Sequence, residues 1–168
     1  LSGGMPQVLK ELEPLLFTDC MTATGQTMGE NIKNYPYIFK PDREIIKPVS
    51  EPFGTGTGVA VLRGNLAPDT CVTKPAAIHP SQHLFTGKAV VFDSEEAATE
   101  AIVAEKIKSG DVVVIRYEGP KGGPGMREMF SAMKLLYGFG LGTTTAVITD
   151  GRFSGTNNGC FVGHISPE

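Results

Sequence analysis

The stretch Thr145-Ala-Val-Ile-Thr-Asp-Gly-Arg-Phe-Ser-Gly-Thr-Asn-Asn-Gly159 joins a short β-branched run to a polar loop that is rich in glycine. Its opening residues predict a strand, and the Asp-Gly pair that follows is typical of a turn. Because glycine has no Cβ, such a loop lets main-chain and hydroxyl groups approach a small polar ligand closely. The pattern therefore indicates either a ligand-binding loop or a simple tight turn between two strands.

A second glycine-rich stretch, Tyr117-Glu-Gly-Pro-Lys-Gly-Gly-Pro-Gly-Met-Arg-Glu128, follows the apolar run at residues 112–115. It carries charges of both signs and leads into an apolar segment with helical spacing. If the two predicted strands are neighbours in one sheet, both loops lie at the same edge, where α/β folds place their ligands. Lys121 could contact an anion there, although the loop lacks the spacing of a P-loop.

The composition is that of an ordinary globular domain. The chain has 168 residues, of which 40% are hydrophobic and 20% charged, which is enough for one domain with a substantial core. A net charge of −3 gives no reason to expect nucleic acid or an anionic membrane as a partner. No apolar run is long enough to cross a membrane, and no leader is evident.

The order of the predicted elements is that of a mixed α/β fold. Helices are expected at residues 5–16 and 26–33, after an N-cap at Ser94, and from residue 124 or 125 onward. Glu95 and Glu96 would then lie in a first helical turn, where the helix dipole favours carboxylates. The run 112–115 is continuously apolar, as in a strand that is covered on both faces. Strands are predicted at residues 59–63, 71–73, 88–92, 112–117, 145–149 and 160–165.

The cysteines Cys20, Cys71 and Cys160 form an odd set with no CxxC spacing. They could ligate a metal or a cluster, but the pattern favours buried or incidental thiols in a reducing cytoplasm. We therefore expect a cytoplasmic protein whose cysteines are not ligands.

In its ordered motifs the chain resembles the dihydroxy-acid dehydratase and sugar-acid (phosphogluconate) dehydratase family. The two glycine-rich loops carry the resemblance, and three further stretches agree with it in order along the chain. These are Thr24-Gly-Gln-Thr-Met-Gly-Glu-Asn31, Ala60-Val-Leu-Arg-Gly-Asn-Leu-Ala-Pro-Asp69 and Gly163-His-Ile-Ser-Pro-Glu168. Several ordered motifs are far more specific than a single glycine-rich loop.

The resemblance implies the C-terminal domain of a longer enzyme. Residues 1–34 would connect it to a missing N-terminal domain, and residues 35–168 would form a swivelling domain similar to that of aconitase. Such a domain is a flattened β-barrel of mixed strands with flanking helices. Both ends of the chain start or stop within a pattern, which also suggests a fragment.

Three residues take roles from the resemblance. Ser154 matches the serine regarded as the general base that removes the C2 proton of the substrate, and Thr156 matches a substrate-binding position. Glu128 matches a carboxylate ligand of Mg²⁺, an ion that prefers oxygen ligands. From the sequence alone, Glu128 could instead be an acidic residue in the first turn of a helix. His164 could be catalytic, but a histidine at a strand end is more often structural.

The implied activity is that of a hydro-lyase, which dehydrates a 2,3-dihydroxy carboxylate to a 2-keto acid in branched-chain amino acid biosynthesis. The family also uses an iron–sulfur cluster, 2Fe-2S or 4Fe-4S, whose ligands would lie outside this chain. A homodimer or tetramer is expected. One alternative is a dehydratase of sugar acids, and Thr156 in place of glycine keeps that alternative open. Another is a non-catalytic binding or interface module, and the isolated chain is expected to be inactive.

Overall fold

A computed structural model describes residues 2–54, 56–121, 123, 125–154 and 158–167. The chain divides into two compact units, Leu1–Thr55 and Gly56–Glu168. In the described part of the chain there are four α-helices and six strands. The α-helices are Gly4–Leu12 (α1), Met28–Asn34 (α2), Glu95–Val103 (α3) and Phe130–Gly138 (α4). The strands are Ala60–Leu62 (β1), Thr70–Thr73 (β2), Lys88–Phe92 (β3), Asp111–Ile115 (β4), Ala146–Thr149 (β5) and Cys160–Ser166 (β6).

The first unit holds α1 and α2, which contact each other. Helix α2 begins with a capping box, in which Thr27 accepts the N–H of Glu30 and the Glu30 carboxylate accepts the N–H of Thr27. Helix α1 is shorter than expected, because a 3₁₀ turn at Glu13–Leu15 follows it. Gln7 is its buried residue, and Leu9 and Leu12 are only partly buried.

The second unit is built on one mixed sheet with the strand order β1-β2-β6-β5-β4-β3. Strands β3, β4, β5 and β6 run parallel to one another, whereas β2 runs antiparallel to β6 and β1 antiparallel to β2. Each predicted strand is therefore confirmed to within a few residues. The mixed α/β class is confirmed as well.

Helices α3 and α4 connect successive parallel strands and pack against each other. They cover one face of the sheet, where Val113, Ile115 and Val147 are buried. Val112 and Val114 alternate with these residues and are only partly buried. The expectation that β4 is covered on both faces is therefore not met within the described residues. The buried cluster comprises Ala98, Ile102, Ile107, Val113, Ile115, Met129, Ala132, Met133, Leu136, Val147 and Phe161.

The start of α4 corrects the sequence interpretation. A helix was expected from residue 124 or 125, but α4 begins at Phe130. Gly125 and Met126 both have positive φ, of 93° and 63°, and a right-handed helix cannot include them. Met129 and Met133 are nevertheless fully buried. Glu128 consequently lies before the helix and not in its first turn.

Candidate functional site at the ends of β4 and β5

A buried carboxylate joins the two glycine-rich loops. Asp150 directly follows β5, and its Oδ2 and Oδ1 atoms accept the main-chain N–H groups of Tyr117 (2.9 Å) and Glu118 (3.1 Å), just after β4. Tyr117 has a left-handed backbone with φ of 63°, which turns consecutive N–H groups toward that carboxylate. Since β4 and β5 are neighbouring parallel strands, both loops lie at the same edge of the sheet. The expectation that the two loops lie together is confirmed.

Glu128 is held in an extended segment beside Arg152. The two residues form a parallel β-bridge, in which the N–H of Arg152 donates to the carbonyl of Arg127 (3.0 Å) and the N–H of Met129 donates to the carbonyl of Arg152 (2.9 Å). The Nη2 atom of Arg152 lies 3.8 Å from Oε1 of Glu128. The Glu128 side chain is 42% exposed, so its carboxylate is accessible to a ligand.

Gly151 lies close to the loop that carries Glu128. A Cβ atom at this position would lie 3.0 Å from the carbonyl oxygen of Arg127 and 3.3 Å from Cβ of Glu118. On its other side, the Gly151 carbonyl accepts the N–H of His164 (2.8 Å). The segment after β5 is therefore packed between the loop that carries Glu128 and strand β6, and glycine is needed there for close approach.

Ser154 lines a cavity of about 180 Å³ beside β2 and β6. Ser154 is half-buried, and two potential cations, Lys74 and His164, line the same cavity. His164 is exposed and has a positive φ of 55° at its place in β6. The other lining residues are Val59, Val72, Thr73, Phe153, Phe161 and Gly163. Thr156 lies outside the described residues.

The chain matches the protein family described as Dihydroxy-acid/6-phosphogluconate dehydratase C-terminal over residues 44–168. It belongs to this dehydratase family. Among curated relatives, the dihydroxy-acid dehydratases of Clostridium botulinum and Agathobacter rectalis are 52% and 54% identical to it over 99% of the chain. That of Aquifex aeolicus is 51% identical over 99% of the chain. In each case the match covers 30% of the relative's length, so the chain spans less than a third of those dehydratases.

An ion-pair cluster lies next to this site. The sequence interpretation missed it. The Arg127 guanidinium lies within 3.2 Å of Glu95, 2.7 Å of Glu96 and 3.6 Å of Glu118. The hydrogen bond to Glu96 raises the pKa of Arg127 above its ordinary value. Glu95 and Glu118 are buried, with exposures of 4% and 2%. The only signal in the sequence was the acidic pair after Ser94, which also fits a helix-dipole role.

The cysteines do not form a ligand site in the described part of the chain. Cys71 is buried and Cys160 partly buried, and burial raises the pKa of both thiols. Cys20 is exposed and lies in the first unit. Among the described residues, no three His, Cys, Asp or Glu side chains come together in a way that could hold a metal ion. Nor does any helix in those ranges have the length and apolar character that a membrane span needs.

Proposed function

We propose that this chain is the C-terminal domain of a hydro-lyase that converts a 2,3-dihydroxy carboxylate into a 2-keto acid. Support comes from membership of this dehydratase family and from the β-bridge that joins Glu128 to Arg152, in the loop that carries Ser154. Ser154 follows Arg152 by two residues, and Arg152 pairs with Glu128. The proposed proton acceptor and the proposed cation ligand therefore lie on two loops that one β-bridge joins.

In this proposal Oγ of Ser154 accepts the C2 proton of the substrate. The C2–H and C3–O bonds break, the departing hydroxide takes up a proton to become water, and the resulting enol tautomerises to the 2-keto acid. A serine hydroxyl is a weak base unless positive charge stabilises its alkoxide. Lys74 and His164 line the cavity with Ser154 and are the residues of this chain that could supply such charge. No residue of the chain is assigned to the departing C3 hydroxyl.

Glu128 fits the role of a Mg²⁺ ligand, because its carboxylate is partly exposed and Mg²⁺ prefers oxygen donors. One carboxylate is not a complete site, so we propose that the other ligands come from outside this chain. When bound, the ion would supply positive charge that stabilises negative charge developing on the substrate. The cysteines do not fit cluster ligation, and we propose that the iron–sulfur cluster is likewise held outside this chain.

The architecture of the longer enzyme is also proposed. Residues 1–34 would act as a connector to an N-terminal domain, and residues 35–168 as a swivelling domain of the aconitase type. The mixed sheet with helices on one face is compatible with such a domain. All the cysteines are free, which suits a reducing cytoplasm. We propose a cytoplasmic homodimer or tetramer, and we expect the chain alone to be inactive.

The test is an assay of the full-length parent protein, purified without oxygen in the presence of Mg²⁺. It would be given 2,3-dihydroxyisovalerate and a panel of aldonates, and 2-keto acid would be measured. We expect turnover of the branched substrate and its loss in Ser154→Ala with cluster content unchanged. Ser81→Ala, at an exposed serine in a 3₁₀ turn, is the matched control and should keep full activity. Full activity in Ser154→Ala would overturn the assignment of Ser154.

A sugar acid is the competing substrate class, and Thr156 is the position to test. Its proposed role in substrate binding rests on the family resemblance. Thr156→Gly in the parent protein should change the ratio of turnover between the branched substrate and the aldonates. An unchanged ratio would remove Thr156 from the substrate site.

A further inference from the structure

Glu95 caps a helix to which it does not belong. It is the first residue of α3, yet its Oε1 accepts the N–H groups of Ser131 (2.8 Å) and Ala132 (3.2 Å) in the first turn of α4. Those N–H groups have no partner within their own helix, and α4 has no side-chain cap of its own. A carboxylate at this point also meets the positive end of the helix dipole.

Two further polar atoms of Glu95 contact the loop that carries Glu128. Its Oε2 lies 3.2 Å from Nη2 of Arg127, the residue directly before Glu128. Its main-chain N–H donates to Oε1 of Glu118 (2.7 Å), in the loop that Asp150 holds. Glu95 therefore contacts the chain immediately before Glu128 and again three residues after it.

We propose that Glu95 is a positioning residue for the Glu128 carboxylate. This inference rests on the proposed function, in which Glu128 is a Mg²⁺ ligand. Glu95 does not touch the ion. It fixes the Arg127 side chain and the first turn of α4, and these bracket the main chain of Glu128. Groups that orient a metal ligand affect metal affinity although they do not coordinate the ion.

The adjacent Glu96 provides a matched control. It is the same residue type and also pairs with Arg127, at 2.7 Å, but its side chain is 62% exposed and that of Glu95 is 5% exposed. In the described residues, the first-turn N–H groups of Ser131 and Ala132 donate to Glu95 and not to Glu96. An exposed ion pair contributes little. If an ion pair with Arg127 were all that mattered, the two positions would behave alike.

The experiment is a calorimetric titration of Mg²⁺ into the full-length parent protein, with melting temperatures measured in parallel. Glu95→Gln keeps a carbonyl acceptor for α4 but removes the charge that holds Arg127. We expect it to weaken Mg²⁺ binding about tenfold, as loss of a ligand-orienting group does. Glu96→Gln should leave the affinity within about twofold, because exposed ion pairs contribute little. Glu95→Asp, which shortens the carboxylate, should give an affinity between Glu95→Gln and the unmodified protein.

Glu128→Gln distinguishes the two hypotheses. If Glu128→Gln binds Mg²⁺ as tightly as the unmodified protein, the proposed function of Glu128 is wrong. If Glu128→Gln loses binding while Glu95→Gln keeps it, only the role of Glu95 is wrong. A lower melting temperature for Glu95→Gln with unchanged Mg²⁺ affinity would assign Glu95 to stability alone and would also overturn the inference.

Discussion

Arg152 and Glu128 are partners in a parallel β-bridge, and the Arg152 guanidinium lies 3.8 Å from the Glu128 carboxylate. The bridge is completed by main-chain hydrogen bonds from the Arg152 N–H to the Arg127 carbonyl and from the Met129 N–H to the Arg152 carbonyl. Ser154 comes two residues after Arg152. A displacement of either loop would therefore change the position of the proposed base relative to the proposed metal ligand.

Removal of the Asp150 carboxylate should destabilise the second unit. Asp150→Ala leaves the N–H groups of Tyr117 and Glu118 without their acceptor, and Glu118 is buried. We expect a loss of about 3 kcal/mol in the free energy of unfolding, since each buried unsatisfied donor costs roughly 1–3 kcal/mol. Urea denaturation of the chain measures this change.

Two further variants interpret that result. Asp150→Asn keeps one carbonyl acceptor and should be destabilised less than Asp150→Ala. Asp93→Ala removes an exposed carboxylate that pairs with Arg116 at 2.7 Å, and it should change stability far less. Equal effects of Asp150→Ala and Asp93→Ala would show that Asp150 does not hold the loops together.

A methyl group at Gly151 should also be destabilising, for steric reasons. The added Cβ of Gly151→Ala would lie 3.0 Å from the carbonyl oxygen of Arg127 and 3.2 Å from Cε of Met129. Because main-chain atoms cannot move aside easily, we expect a cost of about 1–3 kcal/mol, typical of overpacking. Gly64→Ala, where nothing lies within 4 Å of the added Cβ, is the control. A stable Gly151→Ala variant would argue against this close packing.

The cysteines should differ in reactivity toward a thiol reagent. Cys20 is exposed and should react first, whereas burial restricts access to Cys71 and Cys160 and raises their pKa, so less thiolate is present. A time course with a chromogenic disulfide at pH 8 would separate the fast and slow thiols, and denaturation should release the slow ones. Equally fast reaction of Cys160 would contradict its burial.

The raised pKa of Cys71 and Cys160 also makes the free energy of unfolding depend on pH. A raised folded-state pKa means that the unfolded chain loses these thiol protons at lower pH than the folded chain. The stabilising contribution is therefore complete below the unfolded thiol pKa of about 8.5 and is lost as the pH rises above it. Cys160→Ser should reduce that dependence in a denaturation series measured from pH 7 to 10.

Local sequence patterns were sufficient to predict the positions of the strands. Residues 88–92 were predicted with the bounds that β3 has, and β5 begins one residue later than expected. The meeting of the two loops was also predictable, because the carboxyl ends of neighbouring parallel strands share an edge. These features depend on side-chain alternation and on general rules of topology, both of which are present in a single sequence.

Long-range hydrogen bonds were not predictable. Asp150 was interpreted as a turn residue, but its partners are 32 and 33 residues earlier in the chain. Glu95 fits a first-turn dipole role by sequence, although its carboxylate caps a different helix. The start of α4 was misplaced because Met126 has the spacing of the buried methionines but a left-handed backbone. The periodicity of a sequence does not reveal the sign of a residue's φ angle. Nor does it reveal which distant residues become hydrogen-bond partners.

The Asp150 carboxylate binds main-chain N–H groups, and this leaves the side chain at position 117 free to diversify. Tyr117 is 47% exposed. A mutant library at this position would therefore change an exposed side chain without removing the Asp150 carboxylate that accepts the main-chain N–H group. The positive φ of 63° restricts such a library, since glycine and asparagine tolerate it best and β-branched residues tolerate it poorly. A library at position 117 would therefore be restricted to residues that accept a left-handed backbone, and within that limit it would vary an exposed side chain beside a loop anchor that stays intact.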